Sequence, residues 1–303
     1  MIDLKETVDP HKFVQRLHNN EQIDWIEQNQ RVDVPDLIST PNQEEVHSKH
    51  FNDPLAGGQW HVAAFDLSGM HNKLLKKEGK QKKKATIAIL DTGIDSKHED
   101  LASVYKSSGD KKNDSDQKGH GTHCAGIAAA VSNNKTGIAS IIPKEAKVEV
   151  MSIQVLNNFG FGTQQTIING ILKAADLGAD VISLSLGGMT SESKERAYKK
   201  AVDYANKKGA IVVVAAGNSS KNAINYSPAN TKGVIAVTAI DENMNLASFA
   251  NTVEDLKMGI AAPGVNILST FPGNQYKQFN GTSMATPFVA GMLALLKLSL
   301  IHI

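Results

Sequence analysis

Four side chains of this sequence have the types that acyl-transfer chemistry requires. Asp91 supplies a carboxylate, His120 an imidazole, Ser283 a hydroxyl and Asn218 an amide donor. Each lies in a segment that contains glycine: DTGID at 91–95, GHGTHC at 119–124, AAGN at 215–218 and GTSMATP at 281–287. A hydroxyl becomes a nucleophile when a base takes its proton, and an amide donor stabilises the oxyanion that then forms. Together these side chains predict hydrolysis through a serine nucleophile.

The elements that must position them form an alternating pattern. From about Asn52 onward, short β-branched runs alternate with helical stretches, which predicts an α/β fold with a parallel sheet between helices. Asp91 and Asn218 follow two expected strands, at the sheet edge where ligands gather, while His120 and Ser283 lie at helix starts. The expected strands are 85–90, 148–153, 180–186, 211–216 and 234–239, and the expected helices are 121–131, 164–177, 193–208 and 283–296.

The composition and the balanced charge limit the kinds of binding partner that are expected. The 303 residues include 32 basic and 31 acidic ones, a net charge of +1, so neither nucleic acid nor an anionic membrane is expected as a partner. The basic run at 76–84 is interpreted as a solvated loop. One cysteine excludes an internal disulfide and leaves the redox compartment open. No stretch has the ~18 apolar residues of a membrane span, and residues 1–30 show no export-signal pattern.

Each candidate residue, taken singly, also has an ordinary structural explanation. An Asp after a strand is most often a turn or cap residue, and Ser283 could be a helix N-cap. His120 and His123 have no nearby Cys pair or Glu-x-x-His partner that would complete a tetrahedral metal site. The joint occurrence of all four side chains favours catalysis over these explanations.

These segments, in the order Asp, His, Ser, resemble the subtilase family of serine peptidases and look closest to its thermitase-like members. The likeness includes residues 120–138, VISLSLGG at 181–188 and AAPGVNILS at 261–269, and it extends from Asn52 to about Lys297. It implies a serine endopeptidase that forms an acyl-enzyme intermediate. Ser283 would attack the scissile carbonyl, His120 would transfer the proton, Asp91 would orient the imidazole, and Asn218 with the Ser283 N–H would form the oxyanion hole.

The resemblance also implies that polypeptide substrates bind as an extended strand between two segments. One segment comprises Gly160, Phe161 and Gly162, and the other comprises Ser185, Leu186 and Gly187. A wall of the pocket for the side chain before the cut bond would be formed by Ala215, Ala216 and Gly217. These small residues leave room for a large apolar side chain, while a loop tip is the alternative interpretation of Phe161.

A structural calcium ion is the cofactor that the resemblance implies. Oxygen is the donor that this hard cation prefers, and the expected ligands are the side chains of Asp53, Asp100 and Asn134 with the backbone oxygens of Val131, Thr136 and Ile138. A plain polar loop is the alternative for 133–134. A weaker second site would use Asp110, Asp114 and Asp116, although their spacing departs from the thermitase-like pattern.

Cys124 is expected on the same helix face as His120, four residues further along the chain. A buried, inert thiol is the default interpretation. By resemblance, a mercurial on this thiol would displace His120 and block the enzyme.

Both ends of the chain differ from the rest. Residues 1–45 contain an expected helix at 10–20, an extended stretch at 22–28 and a proline-marked linker at 34–41. They resemble the later part of an α+β inhibitory propeptide, so the propeptide is expected to inhibit its own enzyme. Residues 46–297 would be the peptidase domain, truncated at its C-terminus relative to the family. Residues 298–303 (LSLIHI) resemble a sequencing-adaptor scar.

The expected protein is a secreted monomer whose signal peptide is encoded upstream, with a cytoplasmic peptidase as the alternative. The rival from another functional class is a non-catalytic relic that keeps the fold. Retention of Asp91, His120, Asn218 and Ser283 argues against that rival.

Overall fold

A computed structural model describes residue 9 and residues 29–34, 38–40, 48, 50–75 and 84–299. The strands are β1 Arg31–Asp33, β2 Ile38–Thr40, β3 Ala85–Asp91, β4 Tyr105–Lys106, β5 Val148–Gln154, β6 Phe161–Thr163, β7 Val181–Leu184, β8 Gly188–Met189, β9 Ile211–Ala215, β10 Tyr226–Ser227, β11 Val234–Ile240, β12 Gly259–Pro263, β13 Ile267–Phe271 and β14 Gln275–Asn280. The helices are α1 Trp60–Ala64, α2 Leu67–Leu75, α3 His120–Ala129, α4 Gln164–Asp176, α5 Glu192–Lys207 and α6 Thr282–Ser299. Within this part of the chain, no helix combines the length and the hydrophobicity that crossing a bilayer requires.

Seven strands form one parallel sheet, in the order β12, β11, β9, β7, β3, β5, β4. All residues of β3 are buried, because helices cover both faces of the sheet. Helices α3 and α6 pack on the face that presents Ile87 and Ile89. Helices α4 and α5 pack on the opposite face, which presents Ala88 and Leu90. The predicted α/β class is confirmed.

Several element boundaries differ from the predicted ones. The strand predicted at 180–186 ends at Leu184, because Ser185 turns its backbone and side chain toward the start of α6. The helix predicted at 121–131 begins at His120, after Gly119 with a φ of 90°, and ends at Ala129. Glycine adopts such a left-handed conformation without a steric penalty.

Helix α6 continues further than the predicted end at residue 296. It ends at Ser299 and buries Leu298 in the core. The helix therefore includes the first two residues of 298–303, the segment that resembles a sequencing-adaptor scar. The origin of residues 298–303 stays a prediction, and residues 300–303 lie outside the described part of the chain.

The linker predicted at 34–41 stays a prediction, and residues 38–40 within it are extended. These residues form β2, which pairs antiparallel with β14, and β1 pairs antiparallel with β6. An extended chain at an open strand edge satisfies backbone groups that would otherwise lack partners in the sheet. The predicted helix at 10–20, the extended stretch at 22–28 and residues 76–83 of the basic run lie outside the described residues.

Candidate active site

Asp91 and His120 form a buried hydrogen-bonded pair. Asp91 ends β3 and His120 begins α3. The Nδ1 atom of His120 lies 2.7 Å from Asp91 Oδ1 and 2.8 Å from Asp91 Oδ2, and both residues are fully buried. A carboxylate at Nδ1 holds the imidazole in the tautomer whose Nε2 accepts a proton. The pair therefore has the arrangement of a general base and the group that orients it.

A glycine permits this close approach of β3 and α3. A Cβ placed on Gly121 would lie 2.1 Å from the Gly93 carbonyl oxygen and 3.1 Å from Asp91 Cβ. The first turn of α3 can lie against the end of β3 because residue 121 has no side chain.

Ser283 lies in the first turn of α6 and is buried. Its Oγ donates to the Ser185 carbonyl oxygen over 3.2 Å. Its own carbonyl oxygen accepts from Ser185 Oγ at 2.8 Å and from Cys124 Sγ at 3.5 Å. The His120 Nε2 atom is buried and has no hydrogen-bond partner among the described residues. In this structure the Ser283 hydroxyl therefore donates to Ser185 and not to His120.

Cys124 connects the serine with the Asp91–His120 pair. Its Sγ lies within 4.8 Å of side-chain atoms of both Asp91 and His120, and it donates to Ser283. Burial raises the pKa of the Cys124 thiol well above its usual value, so the unreactive protonated form is favoured.

Two N–H groups lie beside the serine and close to Gly281. The Asn218 Oδ1 atom accepts from the Thr282 N–H at 2.9 Å and from Thr282 Oγ1 at 2.8 Å, which directs Asn218 Nδ2 elsewhere. A Cβ placed on Gly281 would lie 3.2 Å from Asn218 Nδ2 and 3.6 Å from Ser283 N. Neither group donates to another described residue. This geometry can stabilise an oxyanion.

An extended segment of the chain itself lies in the groove expected for substrate. We call residues 31–34 the cleft segment. Arg31–Asp33 pairs antiparallel with Phe161–Thr163, and the Val34 N–H donates to the Gly160 carbonyl oxygen over 3.1 Å. Phe161 therefore belongs to a strand and is not a loop tip.

The opposite side of the groove also contacts the cleft segment. Asp33 forms an antiparallel bridge with Gly187, and the buried Val32 packs in the same core cluster as Leu186. The Arg31 guanidinium lies 3.4 Å from the centre of the Phe161 ring. A peptide strand thus fits between the two predicted segments through main-chain hydrogen bonds.

The segment 215–217 contacts the start of α6 and Asn251. The Gly217 N–H donates to Thr282 Oγ1 over 3.1 Å, and Asn251 Nδ2 donates to the Ala216 carbonyl oxygen over 2.8 Å. Ala215 and Ala216 are buried. These contacts connect the end of β9 to the start of α6, and the role of the segment as a pocket wall stays a prediction.

The side chains expected to bind calcium meet in one cluster. The carboxylate of Asp53 accepts the N–H groups of Asn133 at 2.7 Å and Asn134 at 2.9 Å. The Asn134 Nδ2 atom donates to Asp100 Oδ1 over 2.7 Å, and the Ile138 N–H donates to Asp100 Oδ2 over 3.0 Å. The Val131 N–H donates to the Asp100 carbonyl oxygen, and the Thr136 N–H donates to Asn134 Oδ1.

The chemistry of this cluster fits a cation. Burial raises the pKa of Asp100 to about 7 and raises that of Asp53, and neither carboxylate forms an ion pair with a described residue. Two buried carboxylates near each other are destabilising unless a positive charge balances them. Coordination by Asn134 Oδ1 would require its amide to rotate.

The three carboxylates of the weaker calcium site do not meet. Asp110 accepts from the Lys112 N–H at 3.3 Å, and Asp114 accepts from the Tyr105 hydroxyl at 2.6 Å. Asp116 instead binds the first turn of α3, where it accepts from Gly119 and Thr122. The sequence pattern placed Asp116 in a metal site. It gave no sign of the role of Thr92, whose N–H donates to Asp91 Oδ1 over 2.7 Å.

Known proteins are similar to this chain over most of its length. The model of the Subtilase family matches residues 82–300. Thermitase of Thermoactinomyces vulgaris is 50% identical over 218 residues, which cover 70% of this chain and 74% of thermitase. Subtilisin DY of Bacillus licheniformis is 46% identical over 217 residues, covering 69% of this chain and 75% of that protein. The crystal structure of a cold adapted subtilisin-like serine proteinase has a TM-score of 0.58 and 31% identity, covering 70% of this chain and 74% of that one.

Proposed function

The chain belongs to the subtilase family of serine endopeptidases, and on that premise we propose that it hydrolyses polypeptides with Ser283 as nucleophile, His120 as general base and Asp91 as the group that orients His120. The oxyanion hole consists of Asn218 Nδ2 and the Ser283 N–H. The observation that carries this proposal is the buried 2.7 Å hydrogen bond between Asp91 and His120, which leaves Nε2 of His120 without a partner among the described residues.

The reaction follows from this geometry. The Ser283 Oγ attacks the substrate carbonyl carbon while its proton moves to His120 Nε2. The carbonyl oxygen becomes an oxyanion and accepts from Asn218 Nδ2 and the Ser283 N–H. When the C–N bond breaks, Nε2 gives its proton to the leaving amine. Water then attacks the acyl-enzyme by the same route and releases the acid.

Covalent labelling tests this function. A fluorophosphonate probe is expected to modify the full-length chain at Ser283, and mass spectrometry of the digested protein would identify the modified peptide. A folded chain that takes no label, even when the cleft segment is weakened, would favour the rival hypothesis of a non-catalytic protein with the same fold.

We further propose that residues 1–45 are a partial inhibitory propeptide, that residues 46–297 are the peptidase domain, and that the cleft segment competes with substrate. The support is its main-chain pairing with Phe161–Thr163 and Gly187. An extended substrate chain would pair with the same backbone groups, so the substrate and the cleft segment cannot bind at the same time.

Val32→Asp is expected to increase the rate of Ser283 labelling by at least about tenfold. Val32 is 4% exposed in the core cluster that contains Leu186, and burying an unpaired carboxylate there costs several kcal/mol, which favours release of the segment. The matched control is Asp33→Asn, because the Asp33 side chain is 50% exposed in its ion pair with Arg31 and such pairs contribute little. Labelling of Val32→Asp at the wild-type rate would contradict competition.

We also propose a structural Ca²⁺ held by Asp53, Asp100 and Asn134 with the carbonyl oxygens of Val131, Thr136 and Ile138. When bound, the ion would balance the two buried carboxylates. The loop at 131–138 and the residues around Asp53 pack against each other through these side chains, so the expected effect is on stability and not on the chemical step.

Chelation is therefore expected to lower the melting temperature. A ligand present at ~100 times its Kd stabilises the native state by about 2.7 kcal/mol, which corresponds to roughly 5–10 °C for a domain of this size. Differential scanning calorimetry in calcium and in chelator would measure the shift. Asp100→Asn should remove most of it, whereas Asp110→Asn, a change of an acid outside the cluster, should retain it. Equal melting temperatures of the wild type in both buffers would refute the site.

A further inference from the structure

Asp116 is a buried carboxylate that the mechanism above does not use. It is 6% exposed and lies four residues before His120. Its Oδ1 accepts from Thr92 Oγ1 at 2.9 Å, from the Lys118 N–H at 3.1 Å and from the Gly119 N–H at 2.8 Å. Its Oδ2 accepts from the N–H and the hydroxyl of Thr122 at 2.9 Å and 2.8 Å. Every one of these contacts involves the end of β3 or the start of α3.

Backbone N–H groups fix the directions of the two hydroxyl hydrogen bonds, because an N–H group can only donate. The Gly121 N–H donates to Thr92 Oγ1 over 3.0 Å, so the Thr92 hydroxyl has its hydrogen free for Asp116. The Asp95 N–H donates in the same way to Thr122 Oγ1 over 3.0 Å. Asp116 therefore only accepts, which is the behaviour of an ionised carboxylate. A negative charge at the start of a helix is favourable because it faces the free N–H groups and the positive end of the dipole.

This network touches both members of the catalytic pair through their neighbours. On one side, Thr92 follows Asp91 in sequence and donates its N–H to the Asp91 carboxylate. On the other side, His120 is the first residue of the helix whose initial N–H groups bind Asp116. Along the chain, residues 92–119 separate the two sides. Through Asp116, the two sides are joined by only a few hydrogen bonds.

We infer that Asp116 is a positioning residue, which sets the distance between Asp91 and His120 by binding Thr92 and the first turn of α3 at the same time. This inference rests on the proposed function. A cation at Asp116 is disfavoured, because both carboxylate oxygens are occupied by N–H and O–H donors and the carboxylates of Asp110 and Asp114 contact other residues. A purely structural cap is the remaining alternative, and kinetics distinguish it.

Kinetic constants of Asp116→Asn test the inference in the full-length chain. A small displacement of a catalytic group can cost up to about a hundredfold in rate, so kcat for a peptide amide substrate is expected to fall by about 10- to 100-fold while KM stays within about twofold. Thr92→Val should reproduce the effect because it removes the bridging hydroxyl. Thr92→Ser retains that hydroxyl and should keep nearly full activity.

A spectroscopic readout separates positioning from stability. The proton on His120 Nδ1, held between nitrogen and the Asp91 carboxylate, gives a downfield proton NMR signal that should shift or broaden in Asp116→Asn at temperatures well below its melting point. A kcat within twofold of wild type, or a lower kcat with this signal unchanged, would overturn the inference. Neither result would affect the proposed function, which fails only if the wild type itself neither hydrolyses peptides nor takes label at Ser283.

Discussion

Ser283→Ala is expected to abolish peptide hydrolysis, with kcat reduced by about a millionfold, the loss that follows removal of a serine nucleophile from a triad. The substitution removes the only atom that can form the acyl-enzyme bond at this position. Labelling by a fluorophosphonate should disappear as well. Steady-state kinetics and intact mass measured on the same protein preparation would test both results.

The fold should survive this substitution. Among the described residues, the Ser283 hydroxyl makes a single hydrogen bond, to the Ser185 carbonyl oxygen at 3.2 Å, and the loss of one such bond typically costs about 1 kcal/mol. Ser183→Ala is the matched control, since Ser183 is a buried serine in β7 whose hydroxyl has no hydrogen-bond partner among the described residues. The control should keep full activity. Hydrolysis by Ser283→Ala at more than a small fraction of the wild-type rate would contradict the assignment of the nucleophile.

The sheet and its covering helices were predictable because their signals are local. In β3, the continuous apolar run IAIL at 87–90 precedes Asp91, and a strand buried on both faces requires such a run. Helix α5 likewise shows buried residues at helical spacing, including Ala197, Ala201 and Ala205. Each of these patterns is complete within one stretch of sequence.

Strands β1 and β2 could not be predicted in this way, because their partners are distant in sequence. Ile38 pairs with Asn280, and Arg31 pairs with Thr163. The segment between prolines at 35 and 41 has no pattern of its own that distinguishes a strand from a linker. Its extended conformation depends on strand edges that exist only in the folded domain.

The types of the site residues were predictable, and their distances were not. Nothing in the segment 281–287 indicates that the Ser283 hydroxyl donates to Ser185, since this contact requires β7 and α6 to meet. Asp116 shows the same limit. The sequence placed it in a weaker metal site with Asp110 and Asp114, whereas in the fold its carboxylate accepts from Thr92 and from the first turn of α3.

Asn218→Ala is expected to lower kcat by about 100- to 1,000-fold, with a much smaller change in KM. The Asn218 Nδ2 atom and the Ser283 N atom both lie close to Gly281. Removal of one of two preorganised donors weakens the binding of the oxyanion more than that of the neutral carbonyl, so the loss falls mainly on the chemical step. Peptide hydrolysis followed over a range of substrate concentrations would separate kcat from KM.

Asn218→Asp separates this catalytic effect from stability. In the wild type, Asn218 Oδ1 accepts from both the N–H and the hydroxyl of Thr282, so Asn218→Ala leaves two donors unpaired and should also cost about 1–3 kcal/mol of stability. Asn218→Asp keeps an acceptor for Thr282 but replaces the donor with an oxygen that repels the oxyanion. Its kcat should therefore be at least as low as that of Asn218→Ala, while its melting temperature stays closer to that of the wild type. A kcat within tenfold of wild type in both variants would exclude Nδ2 from the oxyanion hole, and the Ser283 N–H would then have to act with a different second donor.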